Sequence, residues 1–393
     1  MWDGLIATKF VAPPPRADAI PRPRLIQLLE RSEEMPATLV LAPAGSGKST
    51  LLADWYRRLE RRGHAIAWLS LDPDDNEPLR FLSYLVSALT RAEPSVGARA
   101  AALLRSVPVA DAESLLPLIV NDLAAVERRV ALFVDDLHVL TSPAIAQFLD
   151  KLLAYAPRTL SLYLASRSEP TLALARLRLH QQACVLTEAE LRFDLDEAEL
   201  FLNRRRALAL SPDDLRLLHA KTEGWAAGLG LASLALERRQ ERSNFLSSFS
   251  GTDRDVAEFL AHDVLLRQPD EMQQFLLATS VLTRFDAALA REVTGRADAA
   301  DLLERLRAGN LFVVALDDQG RWLRYHHLFA DFLRARLDRK HPGAAVGLHR
   351  KAAAWCQGQG EVDAALHHWL AAGDADRAAA HIDDVAMEHL TRG

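Results

Sequence analysis

The sequence is poor in cysteine: of its 393 residues only Cys184 and Cys356 carry a thiol. The two lie far apart and match no spacing of metal ligands, so we interpret them as buried thiols in a reducing compartment, the cytoplasm. Residues 1–15 lack the apolar core of a signal peptide. No uncharged run approaches the roughly 20 residues that span a membrane. We therefore expect neither export nor membrane insertion.

An excess of positive charge is also missing. The chain has 47 Lys plus Arg against 53 Asp plus Glu, a net charge of −6. This balance does not indicate a nucleic-acid-binding surface. Hydrophobic residues make up 49% and charged residues 25%, which is typical of a globular protein. A chain of this length exceeds one ordinary core and predicts two or three domains.

The first half alternates between strands and helices. Compact apolar runs predict strands at residues 38–42, 65–71, 130–134, 160–165 and 183–186. Helical patterns lie between them at residues 48–62, 78–91 and 112–127 and after residue 143. This alternation predicts an α/β domain, a parallel sheet with helices on both faces, over residues 1–195.

The second half is mostly helical. Successive helices predict a lid domain at residues 196–250. Further helices, a hairpin at residues 311–325 with the turn Asp317-Asp318-Gln319-Gly320, and a helix at 327–339 predict a winged-helix domain at residues 251–342. Residues 343–393 form Ala-rich helical hairpins and predict the start of a TPR-like repeat. Because such arrays need several units, we expect this chain to be a fragment of a longer protein.

A glycine-rich loop separates the first predicted strand from the next helix, and it reads Ala42-Pro43-Ala44-Gly45-Ser46-Gly47-Lys48-Ser49-Thr50. In a phosphate loop, consecutive backbone N–H groups and a helix N-terminus point at one anion. Ala42 replaces the usual first Gly. We predict that residues 43–50 bind ATP or ADP, that Lys48 reaches the β- and γ-phosphates and assists catalysis, and that Ser49 ligates Mg²⁺. A structural Gly-rich turn is the alternative.

Two further strands end in polar side chains. Asp135 and Asp136 follow the strand at residues 130–134, where carboxylates can reach the water shell of Mg²⁺. We assign Asp135 to Mg²⁺ and Asp136 to orienting or activating the attacking water. Arg167 follows the strand at 160–165 and is suited to sensing the γ-phosphate. The alternatives are an acidic turn without a ligand and a surface arginine.

Thirteen histidines show no spacing of metal ligands, so we predict no structural metal. His326 directly follows the predicted hairpin. Its spacing alone does not distinguish a packed histidine from a functional one.

Five motifs resemble, in one order, the large ATP-dependent LuxR-type transcriptional regulators. They are Leu39-Val-Leu-Ala-Pro-Ala-Gly-Ser-Gly-Lys-Ser-Thr50, Phe133-Val-Asp-Asp-Leu-His138, Leu164-Ala-Ser-Arg167, Thr222-Glu-Gly-Trp-Ala226 and Trp322-Leu-Arg-Tyr-His-His-Leu-Phe329. These regulators form the branch of signal-transduction ATPases with numerous domains (STAND) that the bacterial maltose regulator typifies. The resemblance spans nearly the whole chain.

The resemblance implies an ADP-bound monomer that an inducer opens. Exchange of ADP for ATP then permits self-association, and hydrolysis resets the switch. His326 is the residue that would contact the ADP phosphates and lock the closed state. Arg22, in the segment before the phosphate loop, would lie near the nucleotide. Such regulators bind an inducer through a long repeat domain and DNA through a C-terminal helix-turn-helix, and this chain contains only the start of the repeats.

The predicted winged helix is not basic: residues 241–340 hold 14 Lys plus Arg against 16 Asp plus Glu, a net charge of −2. DNA binding needs concentrated positive charge, so we expect this module to make intramolecular contacts. The function predicted is a regulatory switch with weak ATPase activity. The alternatives are a constitutive P-loop ATPase and an interaction scaffold with a vestigial nucleotide site.

Overall fold

The computed structural model describes residues 4–106, 112–172, 174–237, 242–317 and 319–392. The chain forms two compact units. The first comprises Met1–Ala209 and Trp225–Ala227, and the second comprises Leu210–Gly224 and Gly228–Gly393.

A five-stranded sheet forms the centre of the first unit, and every strand pair in it is parallel. Its strands are β1 (Ala37–Leu41), β2 (Ala65–Ser70), β3 (Val130–Asp135), β4 (Leu160–Ser166) and β5 (Ala183–Thr187). Their spatial order is β2-β3-β4-β1-β5. The carboxyl ends of β3, β4 and β1 are therefore neighbours at one edge of the sheet, and each is followed by a segment predicted to bind nucleotide.

Helices cover both faces of this sheet. They are α1 (Pro23–Arg31), α2 (Lys48–Arg61), α3 (Pro78–Ala92), α4 (Ala98–Ser106), α5 (Ala112–Ala125), α6 (Pro143–Ala154), α7 (Leu174–Leu179), α8 (Glu188–Leu191) and α9 (Leu195–Glu199), with 3₁₀ turns at Ala7–Phe10, Pro73–Asn76 and Leu137–Val139 and a π turn at Leu200–Arg205. Buried side chains of α3 to α6 pack on one face. Those of α1 and α2 pack on the other.

Successive strand residues contribute to opposite faces, as the pleat requires. Leu132 belongs to the core under α3 to α6, and the next residue, Phe133, belongs to the core under α1 and α2. Phe133 lies in register with Trp68 of β2 and Tyr163 of β4. The ring of Phe133 stacks on both, with centroids 5.7 Å from Trp68 and 4.7 Å from Tyr163. This aromatic row joins β2, β3 and β4, and two of these strands, β3 and β4, carry segments of the candidate site.

The second unit is mostly helical. Its elements are α10 (Pro212–Thr222), α11 (Ala226–Glu237, whose first residues belong to the first unit), α12 (Arg242–Ser248), α13 (Arg254–Phe259), a π turn (Leu260–Val264), a 3₁₀ turn (Leu265–Arg267), α14 (Asp270–Thr279), α15 (Ala287–Thr294), α16 (Ala299–Ala308), β6 (Val313–Ala315), β7 (Leu323–Tyr325), α17 (His327–Lys340), α18 (Ala344–Gly358), α19 (Val362–Ala371) and α20 (Ala375–Arg392). The predicted α/β domain followed by helical domains is confirmed.

The antiparallel pair β6–β7 forms the predicted hairpin, and Phe285 extends it as an isolated bridge to Leu323. Behind the hairpin, the Tyr325 ring lies 4.9 Å from that of Phe285 and 5.8 Å from that of Phe329. The Tyr325 hydroxyl shares a 2.7 Å hydrogen bond with Thr279 Oγ1, so its polar end is satisfied inside the core.

Among the described residues, the helices that were not predicted are α4, α8, α12 and α15. All are short, so their apolar periodicity covers too few turns to stand out from loop sequence. The sequence of residues 255–266 predicts one helix, whereas the structure has α13, a π turn and a 3₁₀ turn there. Asp318 of the predicted turn lies outside the described residues. So does Arg238, the last residue of a helix that the sequence predicts at 225–238. The predicted domain boundaries stay predictions. Across the described ranges, no helix combines the length and apolar character needed to cross a membrane.

Candidate nucleotide-binding site

The predicted phosphate loop leaves β1 at Leu41 and ends where α2 begins at Lys48. Gly45 and Gly47 have φ angles of 73° and 89°. That left-handed region costs most side chains free energy, and glycine adopts it readily. A Cβ at Gly47 would meet no atom within 4 Å, so open space lies beside the backbone there. This is the sharp turn that an anion-binding strand–loop–helix junction needs.

Lys48 is buried, with 7% of its surface exposed. Its Nζ donates to the carbonyl oxygens of Ala42 at 2.7 Å and Pro43 at 2.9 Å. Burial and, second, the charge of Arg167 lower the pKa of Lys48 to about 8, while the carboxylates of Asp136 and Asp135 oppose the shift. A bound phosphate would favour the charged form of Lys48 and so oppose this shift.

The side chain of Ser46 is a second indication that the loop is suited to bind an anion. Its Oγ is buried, and no described residue forms a hydrogen bond with it. A buried hydroxyl without a partner costs about 1–3 kcal/mol. A phosphate oxygen in the loop is a suitable acceptor. The residues present therefore fit a nucleotide phosphate.

Asp135 and Asp136 stand at the end of β3. Asp135 is buried, and its side chain accepts from the backbone N–H of Asp136 at 3.0 Å. Burial and the neighbouring charge of Asp136 raise the pKa of Asp135, while a hydrogen bond from Ser49 acts against the rise. The structure thus brings together Ser49 and Asp135, the two residues predicted to ligate Mg²⁺. A divalent cation would complement this carboxylate, and the oxygen donors fit Mg²⁺.

Asp136 adopts a left-handed backbone conformation with φ of 59° and precedes the 3₁₀ turn Leu137–Val139. Its side chain is 41% exposed, so it can contact water. Arg167 follows β4 directly, and its charge acts on Lys48 across the sheet edge. Lys48, Ser49, Asp135, Asp136 and Arg167, predicted from separate segments, therefore lie in one electrostatic cluster. Their individual roles stay predictions.

Two contacts to the loop were missed from the sequence. Trp225 is 4% exposed, and its Nε1 donates to the carbonyl of Ala44 at 3.0 Å. The backbone N–H of Ala227 donates to the carbonyl of Gly45, also at 3.0 Å. Residues 222–226 form one of the five motifs that resemble the LuxR-type regulators. Nothing local in the sequence indicated that they hold the phosphate loop 181 residues away.

Arg22 lies at the start of α1 and forms a dense set of bonds. Its guanidinium donates to both carboxylate oxygens of Glu197, at 2.7 and 3.1 Å, and to the carbonyls of Leu191 and Arg192. The guanidinium also lies 4.6 Å from the ring centre of Phe193. These contacts fasten the N-terminal segment to the chain before and within α9. The predicted nucleotide contact of Arg22 stays a prediction.

His326 belongs to the second unit and is 1% exposed. Its Nε2 lies 2.9 Å from the carbonyl oxygen of Thr222, and its ring meets that of Phe312 edge-on. Next to it, Arg324 forms a two-pronged ion pair with Glu223, at 2.8 and 2.9 Å. Burial by itself would raise the pKa of the Glu223 carboxyl. The hydrogen bond from Arg324 and nearby positive charge outweigh it and lower this pKa to about 2.

Two family models match this chain. The AAA ATPase domain matches residues 22–167, and the MalT winged helix domain matches residues 261–345. The first match contains the loop, the acidic pair and Arg167, so the family implies nucleotide binding at this site. The second contains β6, β7, α17 and His326.

Curated relatives match across almost the whole chain. The serine/threonine-protein kinase PknK of Mycobacterium tuberculosis is 34% identical over 372 residues, covering 95% of this chain and 34% of the relative. The HTH-type transcriptional regulator MalT of Klebsiella pneumoniae is 32% identical over 389 residues, covering 98% of this chain and 42% of the relative. The chain thus spans between a third and a half of the length of these relatives.

Among solved structures, a STAND protein with a tetratricopeptide repeat sensor from Pyrococcus horikoshii is similar, with a TM-score of 0.43 and 13% identity over 96% of this chain and 52% of that chain. The predicted family rests on the two domain models and on the relatives, which agree with the order of the motifs. With an AAA ATPase domain followed by a MalT winged helix domain, this chain belongs to the MalT-like branch of the STAND ATPases.

Proposed function

We propose that this chain is an ATP/ADP-dependent signalling switch that hydrolyses ATP slowly. The observation that carries the proposal is the convergence of Lys48, Ser49, Asp135, Asp136 and Arg167 at the edge where β3, β4 and β1 end. A phosphate-binding loop, a metal-ligand pair and a sensing arginine at one edge are the parts that phosphoryl transfer needs.

Residues 43–50 bind the phosphates. The loop N–H groups and the N-terminus of α2 face the anion, and Lys48 exchanges its carbonyl partners, Ala42 and Pro43, for β- and γ-phosphate oxygens. The orphan hydroxyl of Ser46 gains an acceptor. The side chain of Thr50, exposed in the first turn of α2, lies at the rim of the same loop.

Ser49 and Asp135 hold Mg²⁺. When bound, this ion neutralises charge on the β- and γ-phosphates. The hydrogen bond between Ser49 and Asp135 already orients both side chains toward each other. Asp136, more exposed than Asp135, orients or activates the attacking water, and Arg167 distinguishes ATP from ADP through the γ-phosphate.

His326 serves as the ADP sensor that stabilises the closed state, as the family resemblance implies. Its position supports this role in one respect: the ring is buried and fixed by Thr222 and Phe312, so its orientation is preset. Arg22 is assigned near the nucleotide by the same resemblance. Its bonds to Glu197 give it a structural task as well.

The output of the switch differs among the relatives that match this chain. One relative is named a protein kinase and another an HTH-type transcriptional regulator, and both match nearly all of this chain. We infer that the shared portion is the switch and that effectors differ. Self-association in the ATP-bound state, an inducer bound through further repeats and DNA binding through a separate domain complete the proposal for a LuxR-type regulator.

Isothermal titration of the full chain with ADP and ATP in the presence of Mg²⁺ tests the site. Lys48→Ala should weaken the binding of both nucleotides at least tenfold because it removes a buried charge-assisted contact. Lys340→Ala, an exposed lysine at the end of α17, should bind like the wild type. Tight binding retained by Lys48→Ala would mean that the phosphate loop is assigned wrongly and would favour a scaffold with a vestigial site.

Steady-state turnover separates the switch from a constitutive ATPase. We expect turnover below about 1 s⁻¹, the low end of enzyme rates. Many turnovers per second by the purified chain, without inducer or oligomer, would contradict the switch.

A further inference from the structure

We propose that Trp225 is a positioning residue of the phosphate loop and that residues 222–227, the latch segment, transmit the state of the winged helix to that loop. The proposal rests on the proposed nucleotide switch and adds to it the route by which one part influences the other.

The C-terminal half of the latch segment fixes two consecutive carbonyls of the phosphate loop. Trp225 Nε1 donates to Ala44, and the Ala227 N–H donates to Gly45. A peptide plane that turns its carbonyl toward these donors turns the N–H of the following residue the opposite way. The N–H groups of Gly45 and Ser46 are thereby oriented by the latch. Those are the groups that a phosphate loop directs at its anion.

The N-terminal half of the latch segment is held by the end of the hairpin and the start of α17. The carbonyl of Thr222 is bonded by the His326 ring, and Glu223 accepts two bonds from Arg324 and one from the backbone N–H of His327. Glu223 has a φ of 50°, a conformation that a non-glycine residue keeps only when its surroundings enforce it. Glu223 and Gly224, with a φ of 72°, end α10 and turn the chain.

Only Gly224 separates Glu223 from Trp225. A change in the bonds between Arg324 and Glu223 therefore reaches the indole that donates to the Ala44 carbonyl through one residue of backbone. A change in the bond between His326 and Thr222 reaches it through two. If Arg324 releases Glu223, the backbone at Glu223 can leave its left-handed conformation. The position of the Trp225 indole is then no longer fixed. The winged-helix histidine then affects the nucleotide through the geometry of the loop, in addition to any direct contact with phosphate.

Trp225→Phe tests the positioning role because it keeps an aromatic side chain at this position and removes the donor to the Ala44 carbonyl. We expect ADP affinity, measured by titration of the full chain, to fall about tenfold, the effect of leaving one buried carbonyl unsatisfied. Ala227→Pro, in the first turn of α11 where proline is tolerated, removes the donor to Gly45 and should act in the same direction. Trp369→Phe, a buried tryptophan of α19, is the control and should leave ADP affinity unchanged.

A merely structural role of Trp225 would lower the thermal midpoint of the nucleotide-free protein without changing the affinity of the folded fraction. The positioning role is overturned if Trp225→Phe and Ala227→Pro both bind ADP within twofold of wild type. That result would leave the proposed switch intact, since the phosphate-loop assignment depends on Lys48→Ala.

The transmission is tested by Glu223→Gln, which weakens the pair with Arg324 and keeps the side-chain shape. We expect a fluorescent ADP analogue to dissociate several-fold faster from Glu223→Gln. Adding Trp225→Phe to Glu223→Gln should then increase the rate by less than Trp225→Phe does alone, because both changes loosen one latch. Independent, multiplicative effects of the two substitutions would overturn the transmission.

Discussion

Lys48 sets the electrostatics of the candidate site at the scale of single residues. It is buried among Ala42, Pro43 and the end of β4, and its pKa of about 8 means that the charged form is only moderately favoured without an anion. Phosphate oxygens favour the charged form, so nucleotide binding should raise this pKa. Nucleotide affinity and proton uptake are therefore linked above pH 8.

We predict that ADP affinity stays constant up to about pH 8 and then declines, approaching tenfold per pH unit, because the free protein loses the Lys48 proton that the complex retains. Titrations at pH 7 to 10 check this. Lys48→Arg, whose charge does not titrate there, should bind more weakly but without the alkaline decline. Affinity independent of pH in the wild type would contradict direct contact between Lys48 and phosphate.

The lowered pKa of Lys48 also affects the free energy of unfolding. The unfolded chain holds the Lys48 proton up to about pH 10.5, whereas the nucleotide-free folded chain releases it near pH 8. Between these values the unfolded state binds more protons, so this residue makes folding more favourable as pH rises.

At the scale of elements, close packing of backbone decides where α12 and α13 meet α17. Gly251, buried in the turn between α12 and α13, lies against the carbonyl oxygen of Leu328 and the amide of Phe332. A Cβ at Gly251 would overlap that carbonyl oxygen, which is backbone and cannot rotate away. This position therefore requires glycine because of space.

Gly251→Ala should reduce the stability of the second unit by about 3 kcal/mol, the upper range for overpacking. Gly230→Ala is the matched control: Gly230 lies inside α11, where a Cβ meets nothing within 4 Å. There the substitution should stabilise by about 0.5–1 kcal/mol through helix propensity. Urea unfolding followed by circular dichroism measures both. Equal stabilities for the two variants would show that α17 can move away from Gly251 at little cost.

At the scale of the whole molecule, the proposed switch makes the bound nucleotide control self-association. His326 is the residue assigned to retaining ADP, and it is fully buried next to Thr222. His326→Ala removes both the bond to Thr222 and the imidazole. We expect faster release of ADP and a shift toward oligomers in ATP, measured by analytical ultracentrifugation.

His341→Ala, an exposed histidine at the other end of α17, should behave like the wild type. A His326→Ala protein that stays monomeric in ATP and retains ADP as the wild type does would contradict the sensor role. The measured unfolding midpoint of the variant must stay near that of the wild type for the comparison to hold.

The sequence by itself determined the elements whose signals are local. The apolar run 38–42, the glycines of the loop and the helix after it specify a strand–loop–helix junction within about twenty residues. Asp135, Asp136 and Arg167 were predicted for the same reason: each follows a buried strand, and the carboxyl ends of parallel strands share one edge. The α/β fold class and the family follow from the same motifs.

Only the tertiary structure decided which distant residues hold these elements in place. The bond from Trp225 to Ala44 joins residues 181 positions apart, and the pair of Arg22 with Glu197 joins residues 175 apart. Likewise, Phe285 bridges to Leu323 although no strand pattern surrounds it. Such partners are selected by packing and by the need to satisfy buried polar groups, and neither leaves a periodic signal in the sequence. The loop proposed to bind phosphate is specified by local sequence, whereas the contacts of Trp225 and Ala227 that hold it depend on the tertiary structure.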